Sequence, residues 1–338
     1  MTGYEAIRFI NDVLYILDQR RLPLEEEYFE AKTYKDIVYA IDNMVLRGAP
    51  LIGIAAAFGI YLSIKDAKTK QEIFSKFHEA KSRISQTRPT AVSLFKAMNE
   101  MGKCIDEFNI LPEYKLKNKL RAKAISLWEK EKETEEEMAG AGANYLKDKK
   151  RILTHCNTGM LATGGYGTAL GVIRKLWEEN GEIMVIVDET RPFLQGSRLT
   201  AWELKKLSIP YRIVVDSACC ILMDRGLVDC VIVGADRIAK NGDVANKIGT
   251  ASLSTVAKRF DVPFFVVAPF ETIDKNIESG KDIPIEIRDD NEITQIKDFV
   301  IAPEGSKTLN FSFDVTNAEF ISAIITEEGI FHYPYNFK

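Results

Sequence analysis

Three short apolar runs in this sequence each end on residues equipped for chemistry. Arg151-Ile-Leu-Thr-His155 leads into Cys156-Asn157-Thr158-Gly159, Ile183-Met-Val-Ile-Val187 into Asp188-Glu189-Thr190-Arg191, and Asp229-Cys-Val-Ile-Val233 into Gly234-Ala235-Asp236-Arg237. A thiol at Cys156 serves as an acid or base near neutrality if the positive end of a following helix lowers its pKa. A cysteine after an apolar strand is equally suited to being a small buried hydrophobe, and its position alone leaves both readings open. Asp236 is a candidate general acid if burial keeps it protonated, or else a helix N-cap. Asn246 and Lys247 follow closely, offering an amide and a point charge suited to sugar hydroxyls or phosphate. Arg191, Gln195 and Arg198 come from another turn. His155 points to the opposite face of its strand from Cys156, which argues against a Cys–His nucleophile pair and for a core histidine.

The glycines invite a dinucleotide reading. Gly159, Gly164, Gly165, Gly167 and Gly171 precede Asp188 at the distance of a ribose-binding carboxylate, but the fingerprint must follow its strand at once, and here it starts late with a stretched last interval. The loop with Thr158, Thr163 and Thr168 still suits a phosphate. No metal-ligand motif, Walker sequence or paired cysteine ligands occur, so no metal and no hydride carrier is called for. A thiol, a carboxylate, several arginines and anion cradles equip a crevice for acid–base chemistry on a small sugar phosphate.

These turns need a scaffold that brings them together. Amphipathic stretches over residues 168–179 and 197–207 alternate with the apolar runs, which is a βαβ pattern. Further strands over 211–215 and 263–268 make five parallel strands, with helices over 217–225 and 250–259 and a last helix over 317–326. Fully apolar short strands fit a parallel sheet covered on both faces, whose ligands bind beyond the carboxyl ends of the strands. Upstream, the pattern gives a short strand pair within residues 1–30 and a helix over 33–46. A buried, small-residue helix over 51–64 follows, then another over 90–108 and a long charge-rich helix over 112–146. Arg47-Gly-Ala-Pro50 and Arg88-Pro89 each set an arginine beside a helix start, a ready anion site. The run from Glu129 to Glu137 reads as a solvated face. The fold class expected is α/β, with a smaller mainly helical N-terminal domain over 1–148 and a parallel-sheet domain over 149–338.

The 338 residues exceed one ordinary domain of ~150 residues. A formal charge of −4 leaves no footprint for nucleic acid. The five cysteines lack the C-x-x-C spacing of a zinc site or a disulfide framework, and a reducing cytoplasm fits them. Glu5, Arg8 and Asp12 come too early for a signal core, and the apolar run over 52–62 is too short for a membrane span. No membrane association is expected.

Read as strings, the turns resemble the methylthioribose-1-phosphate isomerase family, grouped with the regulatory alpha, beta and delta subunits of translation initiation factor 2B and with ribose-1,5-bisphosphate isomerases. The matching stretches are Arg47-Gly-Ala-Pro-Leu-Ile-Gly-Ile-Ala-Ala-Ala-Phe-Gly59, Thr154-His-Cys-Asn-Thr-Gly159, Asp188 through Leu204, and Val233-Gly-Ala-Asp-Arg-Ile238 on to Asn246-Lys-Ile-Gly249. The resemblance implies a Rossmann-like C-terminal domain, a homodimer and an aldose–ketose isomerisation in methionine salvage without a cofactor. It implies Cys156 and Asp236 as the catalytic pair, with Arg47, Gly48, Ala49, Arg88, Gln195, Asn246 and Lys247 contacting substrate. Thr158, Met160 and the run Asn310-Phe-Ser-Phe-Asp314 depart from the family pattern, which bears on the pocket for the substrate's 5-position. Isomerases of ribose 1,5-bisphosphate or 5-deoxyribose 1-phosphate, and a non-catalytic regulatory subunit, are the competing expectations.

Overall fold

The computed structural model describes residues 3–88 and 92–337. Pro89 and Thr90, expected to begin a helix, lie outside the described residues. The chain divides into two compact units, Met1–Thr134 with Met160–Gly167, and Glu135–Gly159 with Thr168–Lys338.

The first unit opens with an antiparallel sheet of three strands, β1 (Ile7–Ile10), β2 (Val13–Leu17) and β3 (Tyr28–Ala31), one more than the expected pair. Helices α1 (Tyr34–Asp42), α2 (Ala49–Ile64), α3 (Lys70–Ser85), α4 (Val92–Glu107) and the start of α5 (Glu113–Tyr145) follow. Thr33 caps α1 in a capping box with Asp36, which fixes where that helix begins. The small-residue helix α2 is buried almost throughout, as an element apolar on all sides must be. Its neighbours in the core include Ile37, Phe77, Leu94 and Met98.

Two features move the division away from the expected boundary at 148. Met138, Ala143 and Leu146 on the last turns of α5 pack into the core of the second unit with Ile152 and Leu170. The segment Met160–Gly167, including the four-residue α6 (Met160–Thr163), is held in the first unit, where Leu161 O accepts from Gln19 Nε2 at 2.6 Å and Gly164 O from Trp128 Nε1 at 2.7 Å. The charged run on α5 is not exposed throughout, since Glu135 within it is fully buried, and the division follows the helix's apolar stripe.

The second unit continues through β4 (Arg151–Thr154), α7 (Ala169–Asn180), β5 (Met184–Asp188), α8 (Ala201–Lys206), β6 (Tyr211–Val214), α9 (Cys219–Asp224), β7 (Cys230–Val233), β8 (Arg237–Ala239), β9 (Val244–Lys247), α10 (Thr250–Arg259) and β10 (Phe264–Val267). It ends through β11 (Ile273–Asp274), α11 (Asn291–Thr294), β12 (Gln295–Ile296), β13 (Phe299–Val300), β14 (Phe313–Thr316), β15 (Ala323–Thr326) and β16 (Gly329–Phe331). The main sheet has the order β16-β15-β10-β7-β4-β5-β6. Six of these strands run parallel and only β16 is antiparallel. Alternate residues serve two cores: Ile152, Val185 and Ile232 face α7 and the end of α5, whereas Leu153, Ile186 and Val231 face α9 and α10. Burial on both faces explains why the strands read as unbroken apolar runs.

The sixth parallel strand corrects the expected last helix over 317–326. That stretch forms a single tight turn, Ala318–Phe320, and then β15, whose Ile324 and Ile325 are fully buried beside β10. The β-branched pair suits the pleat better than a helix, and pairing with a strand distant in sequence decides it.

Candidate active site

With β4 taken as the first strand of the parallel sheet, the order read from β6 to β15 is 3-2-1-4-5-6, the doubly wound arrangement whose direction of winding reverses between strands 1 and 4. Those two strands are β4 and β7. Cys156 lies just beyond the carboxyl end of β4 and Asp236 just beyond that of β7, and the two strands are neighbours in register Ile152 with Cys230 and Leu153 with Val231. Thr154 Oγ1 donates to Ile232 O at 2.8 Å and ties the strand ends together. The two residues singled out for acid–base chemistry leave the sheet at its topological switch, where an α/β sheet forms its ligand crevice.

Cys156 is held hard. It is 8% exposed and adopts φ +65°, a conformation rare and costly for a residue with a Cβ. Its N–H donates to Thr190 Oγ1 at 2.9 Å, and its carbonyl accepts from Thr200 Oγ1 at 2.6 Å. Thr190 rides on the turn after β5, also at positive φ, and its hydroxyl donates to Asp188 O at 3.1 Å. Thr200 lies in a π-helical turn, Gly196–Thr200, that opens α8. Gly196 is obligatory there, because a Cβ would sit 1.7 Å from Asp188 O. Asn157 is buried and donates through Nδ2 to Glu203 Oε1 at 2.7 Å. The helix that follows Cys156 in the chain has four residues, not the length of the helix expected to act on the thiol.

The glycine loop is divided between the units. Met160–Gly167 belongs to the first, whereas Thr158 lies in the second, where its Oγ1 accepts from Leu170 N at 3.0 Å.

Asp236 begins a different design. Strands β8 and β9 form an antiparallel hairpin in the small sheet β11-β8-β9-β14. Asp236 N donates to Ala245 O at 2.9 Å, and Asn246 and Lys247 complete β9. Asn246 is buried with Nδ2 on Thr250 Oγ1 at 3.0 Å, and Lys247 Nζ donates to Ser312 O at 2.9 Å while lying over the Phe313 ring. Opposite Asn246 stands Asp314 on β14, whose two carboxylate oxygens accept Gly249 N and Ala251 N and so cap α10. The Asp236 side chain is exposed, so the burial expected of it is not present.

His155 is buried at 1% exposure, as a core histidine is, but it is polar in its contacts. Nδ1 lies 3.0 Å from Asp188 Oδ2 and Nε2 2.9 Å from Ile248 O. Burial alone would lower the His155 pKa, but the hydrogen bond to Asp188 and that carboxylate's charge raise it on balance. Burial pushes the Asp188 carboxyl up, and the imidazole draws it partly back. His155, Asp188 and Asp216 also have the spacing of a metal-ligand trio among the described residues. Their atoms are engaged otherwise, since Asp216 Oδ1 accepts Thr190 N and Oδ2 accepts Arg191 N.

One four-residue segment, Ala245–Ile248, therefore receives the backbone of Asp236 at its first residue and the ring next to Cys156 at its last. The second unit thus brings Cys156, Asp236, Asn246 and Lys247 to neighbouring strand ends. Gln195 is buried on the turn after β5, and its Oε1 has no hydrogen-bond partner among the described residues. Arg47, Gly48, Ala49 and Arg88 belong to the first unit. Gly48, at φ +98°, is the N-cap of the sixteen-residue α2, Ala49 is that helix's first residue, and Arg47 beside them is half-buried. Arg88 is half-buried after α3.

The family described as Initiation factor 2 subunit family matches this chain over residues 45–333. The chain belongs to the initiation factor 2 subunit family. Within that family it is 50% identical over 337 residues to a methylthioribose-1-phosphate isomerase of Thermoanaerobacter sp. (strain X514), covering 99% of this chain and 98% of the relative. Among solved structures it is similar to 5-methylthioribose 1-phosphate isomerase from Pyrococcus horikoshii OT3, with TM-score 0.93 and 39% identity over 98% of this chain and 93% of that one. It is also similar to a protein from A. fulgidus described as translation initiation factor eIF-2B, subunit delta, with TM-score 0.89 and 38% identity over 98% of this chain and 96% of that one. Thr190, Thr200, Glu203 and Asp314 are members of this site that sequence reasoning did not assign a role. The only sequence signal for the first three was their place in the long match from Asp188 to Leu204.

Proposed function

We propose that the chain isomerises 5-methylthioribose 1-phosphate to 5-methylthioribulose 1-phosphate, a step of methionine salvage, in the cytoplasm and as a homodimer. The observation that carries the reading is that β4 and β7, the strands followed by Cys156 and Asp236, are neighbours at the switch point of the sheet. The full-length likeness to named isomerases at about half identity supports it.

In this reading Asp236 is the proton donor and Cys156 the group beside the migrating hydrogen. The substrate's C1 carries phosphate and is closed to the ring oxygen. Asp236 protonates that oxygen, the C1–O bond breaks, and an open chain with an electron-poor C1 results. Hydrogen then moves from C2 to C1. Cys156 as thiolate removes the C2 proton to give an enol phosphate and returns it to C1, or a hydride shifts directly with Cys156 against the transition state. The C2 hydroxyl loses its proton as the ketone forms, and the Asp236 carboxylate regains one. The atoms balance without an external oxidant or reductant. In the second unit, Gln195, Asn246 and Lys247 take the sugar hydroxyls, because buried amides suit hydroxyls; in the first, Arg47, Gly48, Ala49 and Arg88 offer the cations and helix start that suit an anion.

A second reading has a specific observation behind it, the likeness to the A. fulgidus delta subunit. A regulatory subunit binds without turnover. Purified protein is therefore offered 5-methylthioribose 1-phosphate and, separately, ribose 1,5-bisphosphate, and the ketose is followed by NMR. Turnover of the first with a higher kcat/KM supports the proposal, preference for the bisphosphate moves the substrate, and no turnover of either replaces the proposal with the regulatory reading. Run in deuterium oxide, label at C1 of the product marks the proton route, and its complete absence marks either the hydride route or a proton shielded from exchange during its transfer.

A further inference from the structure

The catalytic proposal uses Cys156 but leaves its neighbour His155 without a role, although His155 is buried among charges. Hydrogen counting constrains it. Ile248 O only accepts, so the 2.9 Å contact places a hydrogen on His155 Nε2. A neutral imidazole has one N–H, so its Nδ1 would then present a lone pair to Asp188 Oδ2 at 3.0 Å, lone pair against lone pair. The contact closes only if a further hydrogen lies between them. Asp188 is 1% exposed, and among the described residues its other oxygen, Oδ1, accepts no hydrogen bond. A carboxylate charge left there without the extra proton would be neither solvated nor paired, which is costly in a protein interior. Asp216 from the turn after β6 and Asp314 from β14 add negative potential around the ring.

The pair also spans the site. His155 precedes Cys156 on β4, Asp188 ends β5 beneath the Thr190 clamp, and Ile248 closes the segment that carries Asn246 and Lys247. We propose that His155 and Asp188 hold one proton between them, and that this neutral pair positions Cys156 relative to the Ala245–Ile248 segment for the isomerisation. The inference deepens the function proposed above and rests on it. His155 and Asp188 are positioning residues here, acting through their neighbours. Folding strengthens the pair's hold on the proton, so its contribution is complete below ~6.5, the ordinary histidine value, and is lost as pH rises through the higher folded value. The positioning should accordingly fail on the alkaline side.

The test uses the whole protein in two readouts. Isotope-labelled wild type is examined by NMR, where His155 must be told apart from only His78 and His332. An exchange-protected, strongly downfield proton on the Nδ1–Oδ2 line is expected at pH 7.5, absent from Asp188→Asn. In the kinetic readout, Asp188→Asn, whose amide can satisfy Nδ1 without the extra proton, should lower kcat about 10-fold while KM stays within about twofold, as a misplaced catalytic group does. It should also lose the alkaline fall in kcat that the wild type shows. No such proton in the wild type, or Asp188→Asn with wild-type kcat and an unchanged pH profile, overturns the proposal. The NMR readout needs neither a folded variant nor turnover, so a wild type that carries the proton but does not isomerise 5-methylthioribose 1-phosphate would overturn the function proposed above and not the pair.

Discussion

The ends of β4 and β7 are neighbours that solve placement in opposite ways. At the end of β4, Cys156 is buried, forced into the left-handed region and clamped through its N–H by Thr190 and through its carbonyl by Thr200. At the end of β7, Asp236 is exposed at the root of a hairpin, with its N–H on Ala245 O. The difference teaches which property each residue draws from its immediate surroundings. The thiol takes its orientation from stored backbone strain and a rigid cradle, as functional residues at odd backbone angles do. The carboxyl takes its position from a β ladder and stays exposed.

Substitutions can break or sharpen this contrast. Cys156→Ser and Asp236→Asn should each lower kcat by ~10² or more with the fold kept, the loss typical of a group that handles a proton. Steady-state rates with a circular dichroism melt check both, and a wild-type rate in either removes that residue from the mechanism. Next comes Gly196→Ala, which strikes the cradle alone. Its Cβ would lie 1.7 Å from Asp188 O, so the π turn must move, at about 1–3 kcal/mol of stability and at least a 10-fold loss of kcat through Thr200. Chemical denaturation measures the first and the assay the second, and an unchanged protein would show that the turn is not rigid. Thr200→Val keeps the shape but deletes the hydrogen bond to Cys156 O. It should cost about 0.5–1.5 kcal/mol and several-fold in kcat with little change in KM. The smallest effect is expected at the amino end of β4, where Arg151 pairs with Asp229 at the surface. Arg151→Ala should leave kcat/KM within about twofold and shift stability by less than about 1 kcal/mol, since exposed ion pairs contribute little. A large loss of activity there would contradict the assignment of function to the carboxyl ends.

Much of this frame was legible in the sequence because its signals are local. Apolar runs such as Cys230–Val233, the capped start of α1 and the small-residue helix α2 are set by their own residues. The turn residues after β4, β5 and β7 could be picked out because strands in a parallel sheet place their chemistry there. What was hidden depends on partners far away in the chain. Ala323–Thr326 reads as helix until β10 is known to lie beside it, and β8 and β9 stand as strands by pairing with each other and with β14. His155 was legible as buried but not as the partner of Asp188, because that contact needs the parallel register of β4 and β5. The π turn leaves no mark on an amphipathic pattern, since it shifts the helix by one residue only over Gly196–Thr200. The compact units divide inside α5 because Leu116 and Leu120 pack in one core and Met138 and Leu146 in another, which a charge pattern does not reveal.

A crystal structure with bound 5-methylthioribulose 1-phosphate tests the account most directly. It predicts Cys156 Sγ beside C1 and C2 and the Asp236 carboxyl within hydrogen-bond reach, ~3 Å, of the sugar oxygen freed on ring opening. A sugar phosphate seated away from the ends of β4 and β7, or one that meets only one of the two side chains, would contradict it.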